Sequence, residues 1–516
     1  MKSIKTLCLL LITIFISGCT YQKNKANSIP NHQFKKVAGK TYFNILQLND
    51  VYEIAPIQGG KYGGMARVAT IHENLLKENK NTMLVLAGDF LNPSLIGTMK
   101  VNGERVRGKQ MVEVMNAMNF DLVALGNHEF DLSYTSLQKR LNESKFDWIS
   151  ANVLHYKNGK YEPFYKLVNG EKEYLKDSYI KEFINTDGTK LKVGFISACI
   201  PSNPKSYVFY GDIYDEIKRS YNEIKNKVDI VIGLTHLGLS QDKKVAELLP
   251  NVPLIMGGHE HVNSYDTIGN VHIAKADANA KTVYIHRLEY DPKTKEVQLK
   301  SELKEINDQI IPNKTVGNIV DKWQLILKNK INEVVKNPYE VIYKAPKPLD
   351  ATEASIRSIQ TNMGDIITKA MSYAYNDKVD CALVNGGSVR IDDKLEGNIN
   401  VVDVFRVLPY GGAILKVDIK GSLLKEVLKY SEKSVGTGAY LQRYNVDKKN
   451  GNWRVSNKLI LENKIYKVAF SDYLLKGLDI PMLSKNSEGV KSIYIPKKDE
   501  ISFDIRKAVI SYLKTL

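Results

Sequence analysis

Cysteine is scarce in this chain: four occur in 516 residues, and two of them, Cys8 and Cys19, fall within the first nineteen. Cys199 and Cys381 lie in separate apolar runs in different halves of the sequence, so two buried thiols are expected rather than a disulfide scaffold. Histidine is absent after Tyr339; all nine precede it, and any imidazole chemistry belongs to the first part of the chain. Beyond the N-terminus no apolar run is long enough to span a membrane. There is no tandem repeat, no low-complexity tract and no nucleic-acid-binding motif, so a nucleic-acid polymer is not an expected partner. Acidic residues are outnumbered, 57 against 73 basic, for a net charge of +16. The lysines are dispersed, which reads either as a solvated surface or as attraction to anions such as phosphorylated substrates and acidic lipid headgroups.

The length is too great for one core and predicts two domains plus a connector, acting as a monomer. The first residues stand outside the fold. Met1 to Lys5 is basic, 7–16 is apolar, and Ser17-Gly18 supplies small residues before Cys19, the layout of a secretory signal. Ile16-Ser17-Gly18-Cys19 resembles the bacterial lipobox. That resemblance implies that residues 1–18 are removed and that Cys19 is lipidated, giving an exported, membrane-anchored lipoprotein with a polar tether over 19–40. Thr20 stands where an Asp commonly retains such proteins at the inner membrane, which favours an outer membrane or cell-surface location.

From 41 to 310 strand and helix patterns alternate, the mark of an α/β layered core. Amphipathic helices are expected at 64–77 and 110–118, and a long helix at 315–336 within a connector of 311–338 that Asn337-Pro338 ends. From 339 to 516 a second α/β unit follows, with helices at 354–375 and 421–431 between strands at 379–384, 414–419 and 465–470. Having no imidazole, it is expected to serve recognition.

Five strand-like runs in the first unit each end on a side chain suited to binding metal: Asp50, Asp89, Asn127, His236, and His259 with His261. Side chains at the carboxyl ends of neighbouring strands converge on one crevice. Two Asp, one Asn and three His gathered there would hold two divalent ions, with Asp89 as the bridge. Such a pair neutralises a phosphoryl group and supplies hydroxide at neutral pH. His259 and His261, two apart, would point the same way on an extended segment.

Gly126 through Asp131 reads GNHEFD. With Gly88-Asp89 and Gly257-Gly258-His259-Glu260-His261, it resembles the calcineurin-like metallophosphatase superfamily and, more closely, the 5′-nucleotidase family with its periplasmic UDP-sugar hydrolases. The resemblance implies a four-layer α/β/β/α metallophosphatase domain joined by a long helix to a smaller α/β nucleoside-binding domain. It implies two divalent ions (Mn, Zn, Co or Fe) and attack on a nucleotide phosphate ester by metal-held hydroxide. His128 would be the catalytic imidazole and Asp131 its orienting partner. In the second unit Gln360-Thr361-Asn362-Met363-Gly364, Asn385-Gly386-Gly387-Ser388-Val389-Arg390, Leu408-Pro409-Tyr410-Gly411 and Ser471-Asp472-Tyr473 resemble the family's substrate segments. Tyr410 and Tyr473 would clamp the base, Asp479 the ribose hydroxyls, and Arg357 and Arg390 the phosphate. Domain closure would then assemble the site.

Three departures stand out. The family reads Asp-x-His at the first strand end, whereas this chain reads Asp50-Val51-Tyr52. Water could complete that coordination, Tyr52 could bind as phenolate, or the site could be impaired. Glu353 replaces an Arg, and Gly412 replaces the Asn of the family's PFGN. Nucleoside monophosphate hydrolysis is the expected activity. The alternatives are cleavage of 2′,3′-cyclic nucleotides or UDP-sugars, or a non-catalytic nucleotide-binding surface lipoprotein with a degenerate metal site.

Overall fold

The computed structural model describes residues 33–185, 187–202 and 205–516. The signal segment, Cys19 and most of the expected tether lie outside the described residues. No described helix is long and apolar enough to cross a membrane.

Two six-stranded sheets form the first half. The strands, in chain order, are β1 (Thr41–Leu48), β2 (Thr82–Leu86), β3 (Leu122–Ala124), β4 (Asp147–Ile149), β5 (Ser178–Ile184) and β6 (Lys190–Ile196). They continue with β7 (Ile230–Thr235), β8 (Leu254–Gly257), β9 (Ser264–Ile268), β10 (Val271–Lys275), β11 (Thr282–Asp291) and β12 (Glu296–Glu305). One sheet has the order β12-β11-β1-β2-β3-β4, the other β5-β6-β7-β8-β10-β9. β1 to β4 pair in parallel, as do β6, β7, β8 and β10. Parallel strands need both faces covered, and here one face of each sheet covers the other. Phe43, Ile45, Met83 and Val85 of the first sheet meet Phe195, Ile232, Leu254 and Met256 of the second in a buried apolar layer.

The outer faces carry helices: α1 (Met65–Glu78), α2 (Lys109–Ala117) and α3 (Tyr134–Glu143) on the first sheet, α4 (Ile213–Ile224) and α5 (Leu239–Leu248) on the second. This is the four-layer arrangement expected. The next helix, α6, runs Lys314–Asn332 and packs on α1 and α2, where the Trp323 indole donates to Glu113 at 2.9 Å. It stops short of the expected 336. The β-branched pair Val334-Val335 turns back, both amides bonding the Ile331 carbonyl, and Asn337 adopts φ 56° before Pro338.

The second half is a five-stranded sheet between helices. Its strands are β13 (Cys381–Asn385), β14 (Ile414–Lys420), β15 (Leu441–Tyr444), β16 (Ile465–Ser471) and β17 (Val490–Tyr494), in the order β15-β13-β16-β14-β17. Helices α7 (Asn362–Tyr373), α8 (Gly421–Lys433) and α9 (Ile505–Leu513) pack on it, α7 and α9 together and α8 with the other core. The single helix expected over 354–375 is broken. A short turn of helix at Glu353–Ile356 ends, and Thr361 starts a new one by capping the Gly364 amide with its hydroxyl. Cys199 and Cys381 are free and buried.

Candidate metal centre and adjoining cleft

The two sheets are stitched together at the ends of their strands. Asn49, just past β1, exchanges both side-chain bonds with the backbone of Ala276 in the second sheet, at 2.7 and 2.9 Å. Two residues earlier, Gln47 donates to the carbonyls of Gly257 (3.2 Å) and Ala274 (2.9 Å). These bonds bring the ends of β1, β2 and β3 against those of β7 and β8.

Asp50, Asp89 and His236 meet there, fully buried, with ligand atoms all within 4.8 Å of one another. Asp50 Oδ2 accepts from Asn49 Nδ2 and the His259 amide, both at 2.9 Å, while its Oδ1 has no hydrogen-bond partner. A buried anionic oxygen without a partner is costly, and a cation would satisfy it. His236 Nδ1 lies 2.7 Å from the Ala87 carbonyl, which requires a proton on that nitrogen and turns Nε2 towards Asp89 Oδ2 and Asn127 Oδ1, each 3.1 Å away. Burial lowers the imidazole pKa, but Asp89 outweighs it and raises it to about 9, so Nε2 carries a proton that a cation would displace. His261 repeats the device. Its Nδ1 donates to the Asp392 carbonyl at 2.6 Å, and Nε2 faces Asp50 Oδ1 at 3.6 Å. The donor set and the tautomers fit divalent cations.

The backbone is strained to achieve this. Asp50, Asp89 and His259 take φ of 53°, 60° and 82°, in the left-handed region that side chains disfavour. Glycine is required beside them. A β-carbon on Gly258 would lie 2.2 Å from the Ala87 oxygen, and one on Gly126 2.1 Å from Asp89 Oδ1. His259 and His261 do not share an extended strand as expected, since β8 ends at Gly257. A turn carries His259 to a ring separation of 5.5 Å from His236, and His261 to Asp50.

His128 Nδ1 bonds Asp131 Oδ2 at 2.8 Å, and the same oxygen accepts from Asn92 at 2.9 Å and Arg390 at 3.1 Å. Burial pushes the imidazole pKa down, but Asp89 and Asp131 outweigh it and hold it up at about 10. The next helix is capped by Ser133, whose hydroxyl accepts the Ser136 amide, which leaves Asp131 to His128. Asp89 is buried as well, yet His236 and His128 keep its carboxyl well below the usual range. Tyr52 is 3% exposed, its hydroxyl 3.1 Å from His261 Nε2 and 3.4 Å from Asp89 Oδ2. Burial, then Asp89 and Asp50, raise its pKa far above the ordinary value, so without a cation beside it Tyr52 is a neutral phenol.

Sequence reasoning missed Glu129. Its carboxylate is fully buried and accepts four amides, those of Gly126, Asp89, Phe90 and Leu91, at 2.7 to 3.1 Å. It thus ties the loop after β3 to the loop after β2. Burial, then Asp89, lift its pKa to about 7. A Glu between His128 and Phe130 gave no signal of that wiring.

Beside the centre opens a cleft of about 1030 Å³ between the two halves. Asp131 lines it from the first half; Arg357, Arg390, Tyr410, Tyr473 and Asp479 line it from the second. Of the residues expected to act on phosphate, Asp131, Arg357 and Arg390 line the same space as those expected to read a nucleoside, and Asp131 bonds His128. Asp479 accepts from Asn385 Nδ2 at 2.8 Å and the Tyr473 hydroxyl at 2.9 Å. Glu353 ion-pairs with Arg357 through Nη1, so it competes with an anion for that guanidinium. Gly412 sits at φ 101° with Asp472 Oδ1 2.5 Å from where a β-carbon would be, so here the turn is built for glycine.

Comparison with known proteins bears on this arrangement. Residues 43–263 match the calcineurin-like phosphoesterase model, and residues 341–485 match the 5′-nucleotidase C-terminal domain model. The chain is 26% identical over 478 residues to a 5′-nucleotidase from Mus musculus, covering 81% of this chain and 78% of the relative. It is 27% identical over 507 residues to a snake venom 5′-nucleotidase from Naja atra, covering 86% and 91%. Among solved structures, a 5′-nucleotidase precursor from Thermus thermophilus superposes with a TM-score of 0.65 at 22% identity, over 92% of this chain and 96% of that one.

Proposed function

Since the chain belongs to the 5′-nucleotidase family, with a calcineurin-like phosphoesterase half and a 5′-nucleotidase C-terminal half, we propose that it releases phosphate from nucleoside 5′-monophosphates. It is a phosphoric ester hydrolase acting on nucleotide phosphate esters. The observation that carries the finer reading is the cleft that Asp131 and Arg390, paired at 3.1 Å, line together with Tyr410, Tyr473 and Asp479.

In this reading Asp50, Asp89, Asn127, His236, His259 and His261 would hold two divalent ions, with the Tyr52 hydroxyl beside His261. The ions supply charge neutralisation at the phosphoryl group and a nucleophile at neutral pH. His128, oriented by Asp131, would donate a hydrogen bond to a phosphoryl oxygen or a proton to the leaving oxygen. Arg390 and, when released from Glu353, Arg357 bind the phosphate. Tyr410 and Tyr473 take the base between them, and Asp479 accepts the ribose hydroxyls. The domain limits we assign are 41–310, a connector at 311–338, and 339–516. Manganese, zinc, cobalt and iron all suit this mixed nitrogen and oxygen donor set. The N-terminal lipobox pattern further supports an exported lipoprotein anchored through Cys19, and we take the chain to act as a monomer.

The test is phosphate release from AMP by protein beginning after Cys19, stripped of metal and resupplied with manganese, zinc, cobalt or magnesium. Activity that returns with metal and is lost in His128→Ala supports the reading. Folded protein that releases nothing from AMP with any metal, yet cleaves a 2′,3′-cyclic nucleotide or a UDP-sugar, would replace the substrate; inactivity on all three would favour a binding protein.

A further inference from the structure

A buried lysine with no part in the chemistry above sits behind the two histidine-bearing loops. Lys275 closes β10 and has no exposed surface. An ammonium in such a place must be compensated. Its Nζ donates to the carbonyl oxygens of Leu237 at 2.6 Å and Gly258 at 2.8 Å, and faces Asp242 Oδ2 at 2.8 Å and the Glu260 carboxylate. Asp242, also buried, accepts the Thr235 hydroxyl at 2.7 Å, and Glu260 Oε1 accepts the Leu239 amide at 2.5 Å. Every partner lies in the loop after β7 that carries His236, in the loop after β8 that carries His259, or in α5 between them.

The contacts fall on particular bonds. The peptide joining Gly258 to His259 has its oxygen held by Lys275 and its N–H held by Asp50 Oδ2 at 2.9 Å. With that peptide plane pinned at both ends, rotation about the His259 N–Cα bond is confined. The φ found there, 82°, is one that a residue with a side chain adopts only under constraint. The Leu237 oxygen, one residue beyond His236, is drawn to the same ammonium. Gly257 allows the approach, because a β-carbon there would lie 2.8 Å from Lys275 Cε.

We propose that Lys275 is a positioning residue: by gripping the Gly258 and Leu237 carbonyls it holds His259 in its left-handed conformation and sets that imidazole against His236, so that both rings present to one ion. The inference rests on the metal centre proposed above.

The test is a double-variant cycle read as manganese affinity by calorimetry on the metal-stripped chain beginning after Cys19. The variants are Lys275→Met, His259→Asn and the two together. If Lys275 acts through His259, Lys275→Met weakens manganese binding at least tenfold alone and less than twofold in the His259→Asn background. Equal weakening in both backgrounds, or none in either, overturns the proposal. Because Lys275→Met strands Asp242, Lys275→Met with Asp242→Asn is carried through the same cycle, and thermal unfolding in chelator verifies that it is folded. A parent chain that binds no manganese overturns the metal centre, and this inference with it; a parent that binds it but shows an additive cycle overturns only the role of Lys275.

Discussion

His286 offers a quantitative test of how the two sheets are held together. It lies on β11 facing the second sheet, fully buried, with Nε2 2.8 Å from Gln47 Oε1 and Nδ1 2.8 Å from the Ser301 hydroxyl. Both amide hydrogens of Gln47 point to the Gly257 and Ala274 carbonyls, so Oε1 must face the imidazole, which then donates from Nε2 and accepts at Nδ1. The ring is neutral and its four-member chain of bonds is complete. Burial, then the charge of His272, depress its pKa from 6.5 to about 3. The unfolded chain therefore binds the extra proton more readily at every pH between about 3 and 6.5. Stability from this group is present above pH 6.5 and is lost as pH falls towards 3. The slope approaches about 1.4 kcal/mol per pH unit, which amounts to roughly 2.5 kcal/mol between pH 7 and 4.5. Other groups titrate as well, so the quantity to measure is a difference. Urea unfolding of the parent and of His286→Gln, in chelator at pH 7, 5.5 and 4.5, should show the gap between them closing by about that amount. Parallel loss of stability in the two proteins would refute the account of a neutral, buried bridge.

Other substitutions probe the site directly. Tyr52→His places an imidazole where a neutral phenol now faces His261 and Asp89, and should tighten metal binding roughly tenfold by calorimetry. Tyr473→Ala removes a stacking surface of about 1–3 kcal/mol, so KM for AMP should rise between about 5-fold and 150-fold while kcat changes little. Gly258→Ala drives a β-carbon into the Ala87 carbonyl and the His236 ring. It should lower stability by about 1–3 kcal/mol or more and weaken metal retention, read by denaturation and by elemental analysis of purified protein.

The positions of Asp50, Asp89, Asn127, His236, His259 and His261 were legible because strand runs are local patterns and parallel strands deliver their ends to one edge. The layered fold followed from the same alternation. What the sequence hid was long-range. Glu129 acts through amides 38 to 40 residues away, Gln47 through carbonyls more than 200 away, and Lys275 through two loops at once. Nothing in their neighbours marks such partners. The break at Thr361 was missed because a helical apolar pattern continues across it, and only the hydroxyl cap reveals the restart. The expectation that His259 and His261 point the same way from an extended segment was not met: the strand ends at Gly257, and a left-handed turn aims the His259 ring.

The contact from His261 Nδ1 to the Asp392 carbonyl joins one half of the molecule to a candidate ligand in the other. Ion pairs cross the same boundary, among them Arg390 with Asp131, Lys281 with Asp393 and Arg406 with Glu53. An ion held by His261 Nε2 is therefore bound most tightly when the halves are together, since only then is the ring's tautomer fixed from behind. By thermodynamic reciprocity, occupancy at that nitrogen favours the closed arrangement by the same free energy by which closure favours occupancy. Were the halves to separate, metal release and separation would be coupled in one equilibrium, and a chelator should favour the separated arrangement.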